Sequence, residues 1–382
     1  MKPLFLIGSS VLCLLLGCGG SGSGPVRGGS NSPKLTVLLG SNSDSDLEQA
    51  VLSVEKVEIS TDGATWASLG TPKATYDLMA LQGGREAVLI SEAPVTAGTY
   101  TFRLTWATTN YADGTKLPAY VDPVVGSGTA LSMPVSTIFQ GTVTVPSSSQ
   151  ATTRLAINPS TSILRLQGAT TSYVFTSEGS TLDTAELATI KGTVHSGGAA
   201  LAGAEVFAEV IDGLNNPRIV QRAFCDASGQ YTLNALPARL GGSPTSIYVV
   251  AMPSSAAQAF SAQGVGPVVL GTPGVVEAGK DLDFSGLSTS ASISLTVTPQ
   301  TPLGGLTVAE LRQTLAFGTS SQYVIVRSHG TTIGTSEDTY GFGGLGGGTY
   351  GVVATRGLAV KASLSQVRVN PGDSASLTLT FP

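Results

Sequence analysis

Apolar and polar residues alternate one for one in several short stretches of this chain, a period that builds half-buried strands and cannot build an amphipathic helix. In Thr99 to Trp106, Tyr100, Phe102, Leu104 and Trp106 fall on one face, and Thr101, Arg103 and Thr105 on the other. Ile293, Leu295 and Val297 alternate with Ser and Thr, as do Ala375, Leu377, Leu379 and Phe381 near the end of the chain. Val51 to Ile59 breaks the rhythm, with apolar residues at 51, 52, 54, 57 and 59, and predicts a bulge or burial on both faces. Helical signals are few. Thr307-Val-Ala-Glu310 has the form of a capping box ahead of Leu311 and Leu315 and predicts a short helix over 308–316. Ser45 and Glu48 have the same spacing and predict a single turn. The remainder reads as strands joined by Gly, Pro, Asn and Asp turns, so the expected fold class is all-β, as tandem β-sandwich domains.

Composition bounds the size and chemistry of those domains. At 382 residues the chain has room for two to four. Only 12% of its residues are Asp, Glu, Lys or Arg, so Ser and Thr supply most of the polar surface. A hydrophobic content of 41% is enough to bury cores and excludes wholesale disorder. With a net charge of −5 there is no basic excess for neutralising phosphates, and no nucleic-acid partner is expected. Two His and three Cys leave little for a metal centre, and neither metal nor cofactor is expected.

The N-terminus specifies a compartment. Lys2 precedes an apolar run from Leu4 to Leu16, too short for a bilayer span of about 20 residues and right for a signal peptide over residues 1–17. Its end, Leu15-Leu16-Gly17-Cys18, resembles the lipobox of bacterial lipoproteins. That resemblance implies lipidation of Cys18 and attachment to a membrane through acyl chains. Residues 18–33 then form a Gly/Ser tether of the flexible-coil kind. Gly19 stands where some Gram-negative lipoproteins carry the Asp of inner-membrane retention, so the resemblance implies the outer membrane or the cell surface. With Cys13 removed and Cys18 lipidated, Cys225 is the one thiol left; with no basic neighbour to lower its pKa, it reads as a small buried hydrophobe.

Composition divides the remainder at 34–178, 186–284 and 285–382, with a Ser/Thr-rich connector at Thr176 to Thr184 and another at Ser285 to Thr289. The last two units are near 100 residues, enough for each to bury its own core. A shared spacing supports the division: Tyr76-Asp-Leu78-x-x-Leu81, Tyr231-Thr-Leu233-x-x-Leu236 and Tyr340-Gly-Phe342-x-x-Leu345 are each followed by an aromatic-led strand from Tyr100, Tyr248 and Tyr350. Tyr231 and Tyr340 are expected at equivalent core positions.

Two of the units also resemble known families. Ile190-Lys-Gly192-Thr-Val194, Leu201-Ala-Gly203-Ala-Glu-Val206 and Asp226-Ala-Ser-Gly229-Gln-Tyr231-Thr-Leu233 resemble the carboxypeptidase regulatory-like domain over residues 189–255. The resemblance implies a transthyretin-like seven-stranded sandwich without peptidase residues, within a fold group that includes carbohydrate-binding modules. Val54-Glu-Lys-Val57-Glu-Ile59, Gly63-x-x-Trp66, Tyr76-Asp77-Leu78 and Ala97-Gly98-Thr-Tyr100-Thr-Phe102 resemble a domain of unknown function found after the lipobox in bacterial lipoproteins. The third unit is similar to the second through Asp338-Thr-Tyr340-Gly-Phe342 and Gly348-Thr-Tyr350.

Candidate chemistry is sparse. His195 and His329 lie in turn-like sequences without a nucleophile motif and are expected to be solvated. Asn42-Ser-Asp44-Ser-Asp46-Leu-Glu48 alternates oxygen donors as calcium loops do, but Leu47 replaces the Gly and Ser53 the bidentate Glu of the EF-hand form, which favours a solvated turn. The most ligand-like stretch is Asn110 to Asp122, where Tyr111, Asp113, Tyr120 and Asp122 could stack against and hydrogen-bond a sugar or peptide. The plainer reading is a long hairpin loop whose rings pack on its own sandwich. The expectation is therefore a non-enzymatic, lipid-anchored cell-envelope protein with a structural, adhesive or surface-interaction role, meeting a membrane through its anchor and a surface glycan or protein through its sandwiches. A carbohydrate-binding surface lipoprotein is the alternative, and a hydrolase of unassigned substrate the third reading.

Overall fold

The computed structural model describes residues 32–41, 47–82, 84–122, 128–147, 149–166, 172–176, 179–240, 243–253, 261–284, 290–298, 306–332, 338–356 and 360–381. Strand is the dominant regular structure among these residues, with helix confined to a few short turns, and the strands form stacked pairs of sheets as the alternation predicts. Cys18, the tether up to residue 31, the Asn42–Asp46 stretch and the Ser285–Thr289 connector lie outside the described residues.

The C-terminal unit has the simplest plan. Ala291–Thr298 runs antiparallel beside Asp338–Leu345 and parallel beside Ser374–Thr380, forming one sheet. Opposite lies a sheet ordered Ser320–Thr332, Leu306–Phe317, Gly348–Arg356, Val360–Val369, antiparallel throughout. Its apolar residues point into the gap; Ile293, Leu295 and Val297 are fully buried, while the Ser and Thr between them are half-buried.

The middle unit repeats that plan strand for strand. Leu187–Ser196 pairs antiparallel with Gln230–Pro237 and parallel with Leu282–Phe284. The facing sheet runs Pro217–Phe224, Glu205–Ile211, Ser243–Met252, Gln263–Leu270. The N-terminal unit has the plan again: Lys34–Ser41 is antiparallel to Glu86–Pro94 and parallel to Gln150–Ile157. Gln49–Ser60 lies between Gly98–Trp106 and the split strand Ala67–Gly70 and Ala74–Asp77. Short strands at Ser136–Ile138 and Val143–Val145 flank Gly98–Trp106 on its other edge. Added strands Ala119–Asp122, Thr129–Ser132, Ser172–Phe175 and Ile163–Leu166 enlarge this sheet. Tyr231 and Tyr340 occupy the same place in the last two units, on the strand antiparallel to the first, and both are buried. Tyr76 lies elsewhere, on the split strand beside Leu52, so its motif is not equivalent.

Several expectations are corrected. The stretch over 308–316 is not a helix but lies inside the strand Leu306–Phe317, bonded to neighbours on both sides. Leu311 and Leu315 satisfy a spacing of two as well as of four, and two flanking strands give the backbone more hydrogen bonds than a single capped turn. No helical turn follows Leu47 either; a bend leads into the strand Gln49–Ser60. That strand carries the expected irregularity, with a register slip between Val54 and Lys56 and both faces buried from Ala50 to Val54. His195 and His329 lie on strands rather than in turns, and Nε2 of His195 is buried without a hydrogen-bond partner among the described residues. Within the stretch read as a connector, Ser180–Asp183 pairs with Gln150–Ile157 and extends the first unit's sheet.

Apolar burial forms three clusters, and they do not follow the three units. One lies within the first unit and one within the second. The third joins the C-terminal core to Phe207, Val250, Met252 and Ala262 of the second unit, with Tyr248 packed against it. This is why Glu205–Ile211 is buried on both faces: Val206, Ala208 and Val210 fill its own core, and Phe207 faces the next sandwich.

Candidate functional site

The Asn110–Asp122 loop is built around its first residue. Asn110 is 3% exposed, and its Oδ1 accepts from the backbone N–H groups of Ala112 and Asp113, each at 3.0 Å. Its Nδ2 donates to the Leu117 carbonyl at 3.0 Å, so one amide ties both ends of the loop tip. Thr75 anchors the loop to the sheet by accepting from the Tyr111 N–H at 2.9 Å. The Tyr111 hydroxyl donates to Glu55, and that bond, with burial and the carboxylate charge, pushes its pKa up. Asp113 accepts from Thr115 through the backbone N–H and the hydroxyl, which holds its carboxyl below the usual range.

Tyr120 and Asp122 belong to the buried strand Ala119–Asp122, and Asp122 accepts the Gly128 N–H. Of the four residues singled out, Asp113 is exposed at the tip, Tyr111 is half-buried against Glu55, and Tyr120 and Asp122 are enclosed. Asn110, Thr75 and Glu55 were missed. Only Asn110 carried a local signal, as an Asx turn two and three residues ahead of its acceptor contacts.

A second concentration of polar and aromatic groups lies on the outer face of the same unit. Glu58 and Arg103 are cross-strand partners on Gln49–Ser60 and Gly98–Trp106. The Glu58 carboxylate receives Arg103 Nε at 2.8 Å, Lys56 Nζ at 2.6 Å and Thr105 Oγ1 at 3.1 Å. Burial alone would raise its pKa, but these three donors outweigh burial and hold it at about 2. The Arg103 guanidinium stacks on the Trp66 ring, 4.4 Å from its centroid, and Ile138 beside Arg103 is exposed. The Arg103 cation is thus fixed between an indole and a buried carboxylate, beside an exposed apolar side chain.

The one free cysteine among the described residues lies in a core. Cys225 is 5% exposed in the second unit's core, and burial, aided by Asp226, pushes its thiol up to about 12. At neutral pH it is therefore a thiol and a poor nucleophile. No cluster of three or more His, Cys, Asp or Glu that could hold a metal is found among the described residues. No helix among them is long and apolar enough to cross a membrane.

Residues 34–176 match the family model described as Domain of unknown function (DUF4382), which is the first unit with its added strands. No curated protein matches the chain. Among solved structures, the Bacillus anthracis TIE protein is 10% identical with a TM-score of 0.22; the match covers 91% of this chain and 51% of that one, so the chain spans about half its length. The shaft pilin spaA from Lactobacillus rhamnosus GG is 9% identical with a TM-score of 0.20, over 51% of this chain and 97% of the pilin. A streptococcal ancillary pilin is 9% identical with a TM-score of 0.20, over 91% and 99%. Superpositions this loose say nothing about what the chain binds.

Proposed function

We propose that this chain is a lipid-anchored protein of the bacterial cell envelope, held at the outer membrane or cell surface through Cys18, with a structural or adhesive role and no catalytic one. The observation that carries the reading is the sequence Leu15-Leu16-Gly17-Cys18 followed by a Gly/Ser tether and then, among the described residues, by successive pairs of β-sheets. A flexible tether lets a rigid body stand away from the lipid surface. The three units at 34–178, 186–284 and 285–382 are proposed as its modules, and the common strand plan supports that division. The same plan, with Gly192 packed against Lys280 and Tyr231, supports a carboxypeptidase regulatory-like identity for the second.

The surface offered to a glycan or protein partner is the Trp66 and Arg103 face, held in place by the buried Glu58 carboxylate, with the Asp113 loop tip as a separate contact. The carbohydrate alternative is weakened by the enclosure of Tyr120, since a sugar platform needs an open ring face.

Fractionation of cells carrying Cys18→Ser tests the anchor. The variant is expected in the soluble fraction, because acyl chains are the proposed hold on the membrane. A variant that pellets with membranes as the parent does would overturn the reading.

A further inference from the structure

The junction between the second and third sandwiches encloses an acid that packing alone does not require. Glu209 lies on Glu205–Ile211, on the face turned toward the C-terminal unit, and has no solvent exposure. Its Oε2 accepts the N–H of Ile325 across the junction at 3.0 Å, where Ser320–Thr332 slips register against Leu306–Phe317. Its Oε1 finds no hydrogen-bond partner among the described residues. Apolar groups surround the junction: Phe207, Val250 and Met252 from one side, and Phe317, edge-on to Tyr248 with centroids 5.0 Å apart, from the other.

We infer that Glu209 is a proton-dependent latch: its neutral carboxyl lets the second and third sandwiches pack as one body, and loss of the proton loosens the junction. This goes beyond the envelope role proposed above and does not depend on it.

The argument rests on what a charge would meet. The C-terminal unit presents Glu310 and Arg312 from Leu306–Phe317, and Arg312 gives its Nε and Nη2 to Glu310 Oε2 at 2.8 and 2.6 Å. From Ser320–Thr332 come Tyr323, under the Arg312 guanidinium, and Arg327, which bonds Glu205 at 2.7 Å. On the second unit Glu205 is also held by Arg222, and Tyr248 is the cross-strand neighbour of Glu209. The cations near the junction are thus occupied by other carboxylates, and an ionised Glu209 would be left with one backbone N–H and the partly cancelling charges of the paired Arg312 and Glu310.

Burial, with the Glu310 charge behind it, pushes the Glu209 carboxyl well above its ordinary value of 4.5, against the opposing pull of the Ile325 N–H and Arg312. A carboxyl raised on docking binds its proton more tightly when docked. Its contribution is therefore whole below the ordinary carboxylate range and declines as pH rises toward and through the docked value.

Hydrogen exchange on the full chain, corrected for the intrinsic pH dependence of amide exchange, reads this at peptides covering Tyr323 to Arg327 and Tyr248 to Met252. Between about pH 5 and about pH 9 the parent is expected to lose protection at both, by up to about tenfold per pH unit, and Glu209→Gln to hold its protection level. Peptides over Tyr100 to Trp106 in the first sandwich are expected to keep their protection. A parallel profile in parent and Glu209→Gln overturns the latch, as does loss of protection in the first sandwich at the same pH. Glu310→Gln serves if Glu209→Gln does not fold. Removing that negative charge lowers the docked value, so the loss should level off at lower pH and be smaller in total, and an unmoved profile also overturns the proposal.

Discussion

Two tyrosines do the same work in separate units. The Tyr100 hydroxyl donates to the Thr96 carbonyl at 2.8 Å and the Tyr350 hydroxyl to the Gly346 carbonyl at 2.7 Å, each four residues upstream across a Gly-Thr-Tyr strand start. Each ring fills its core while its hydroxyl pins the chain entering the strand. Tyr350→Phe keeps the ring and loses only that bond, so a cost of about 0.5–1.5 kcal/mol is expected in urea unfolding. Glu58 gives a pH signature. With its carboxyl held at about 2 in the folded chain, against an ordinary 4.5, its ion pairs stabilise fully above the ordinary value and are lost as pH falls from there toward about 2. Glu58→Gln should flatten that part of the acid-unfolding curve, and an unchanged curve would mean that Arg103 and Lys56 draw nothing from it. Tyr231 and Tyr340 were legible as core residues from spacing alone, because two apolar side chains two apart on a strand must share a face.

Elements were read well where alternation was clean and poorly where local signals competed. Gly98–Trp106 shows the predicted burial, with Tyr100, Phe102, Leu104 and Trp106 inside. Residues 308–316 carry a helix signal because a capping box is local, whereas the pairing that places them in the strand Leu306–Phe317 comes from residues up to Arg356. In the Asn110 loop the contacts that fix Tyr111 are hidden from the sequence for the same reason, since its partners Thr75 and Glu55 are far along the chain. Gly264 belongs to this class. A Cβ there would overlap the Phe317 ring of the next sandwich, and nothing near Gly264 in sequence announces that approach. Gly264→Ala should cost about 1–3 kcal/mol, as overpacking does, and lower the protection of Ser243–Met252 in hydrogen exchange.

At the scale of the molecule, the shared cluster makes the second and third sandwiches thermodynamic neighbours. Tyr340→Ala removes a ring from that cluster and should destabilise by about 3–5 kcal/mol. Calorimetry of the full chain is expected to shift the transitions of the second and third units together and leave the first unmoved. Separate behaviour of the second unit would mean that Phe207, Val250 and Met252 add no coupling. The sequence by itself determined the class of fold, the alternating core faces and the repeated motif of the last two units, because a two-residue period and short Gly- and Pro-bounded strands leave few other ways to bury apolar side chains. Only the tertiary structure decided that the first unit shares the same strand plan, that a capped segment is a strand, and that Glu209 is sealed between two sandwiches. Those outcomes depend on pairing and docking between residues from tens to more than a hundred positions apart, as between Thr307 and Arg356 or Glu209 and Ile325, and that energy is absent from any local window of the chain.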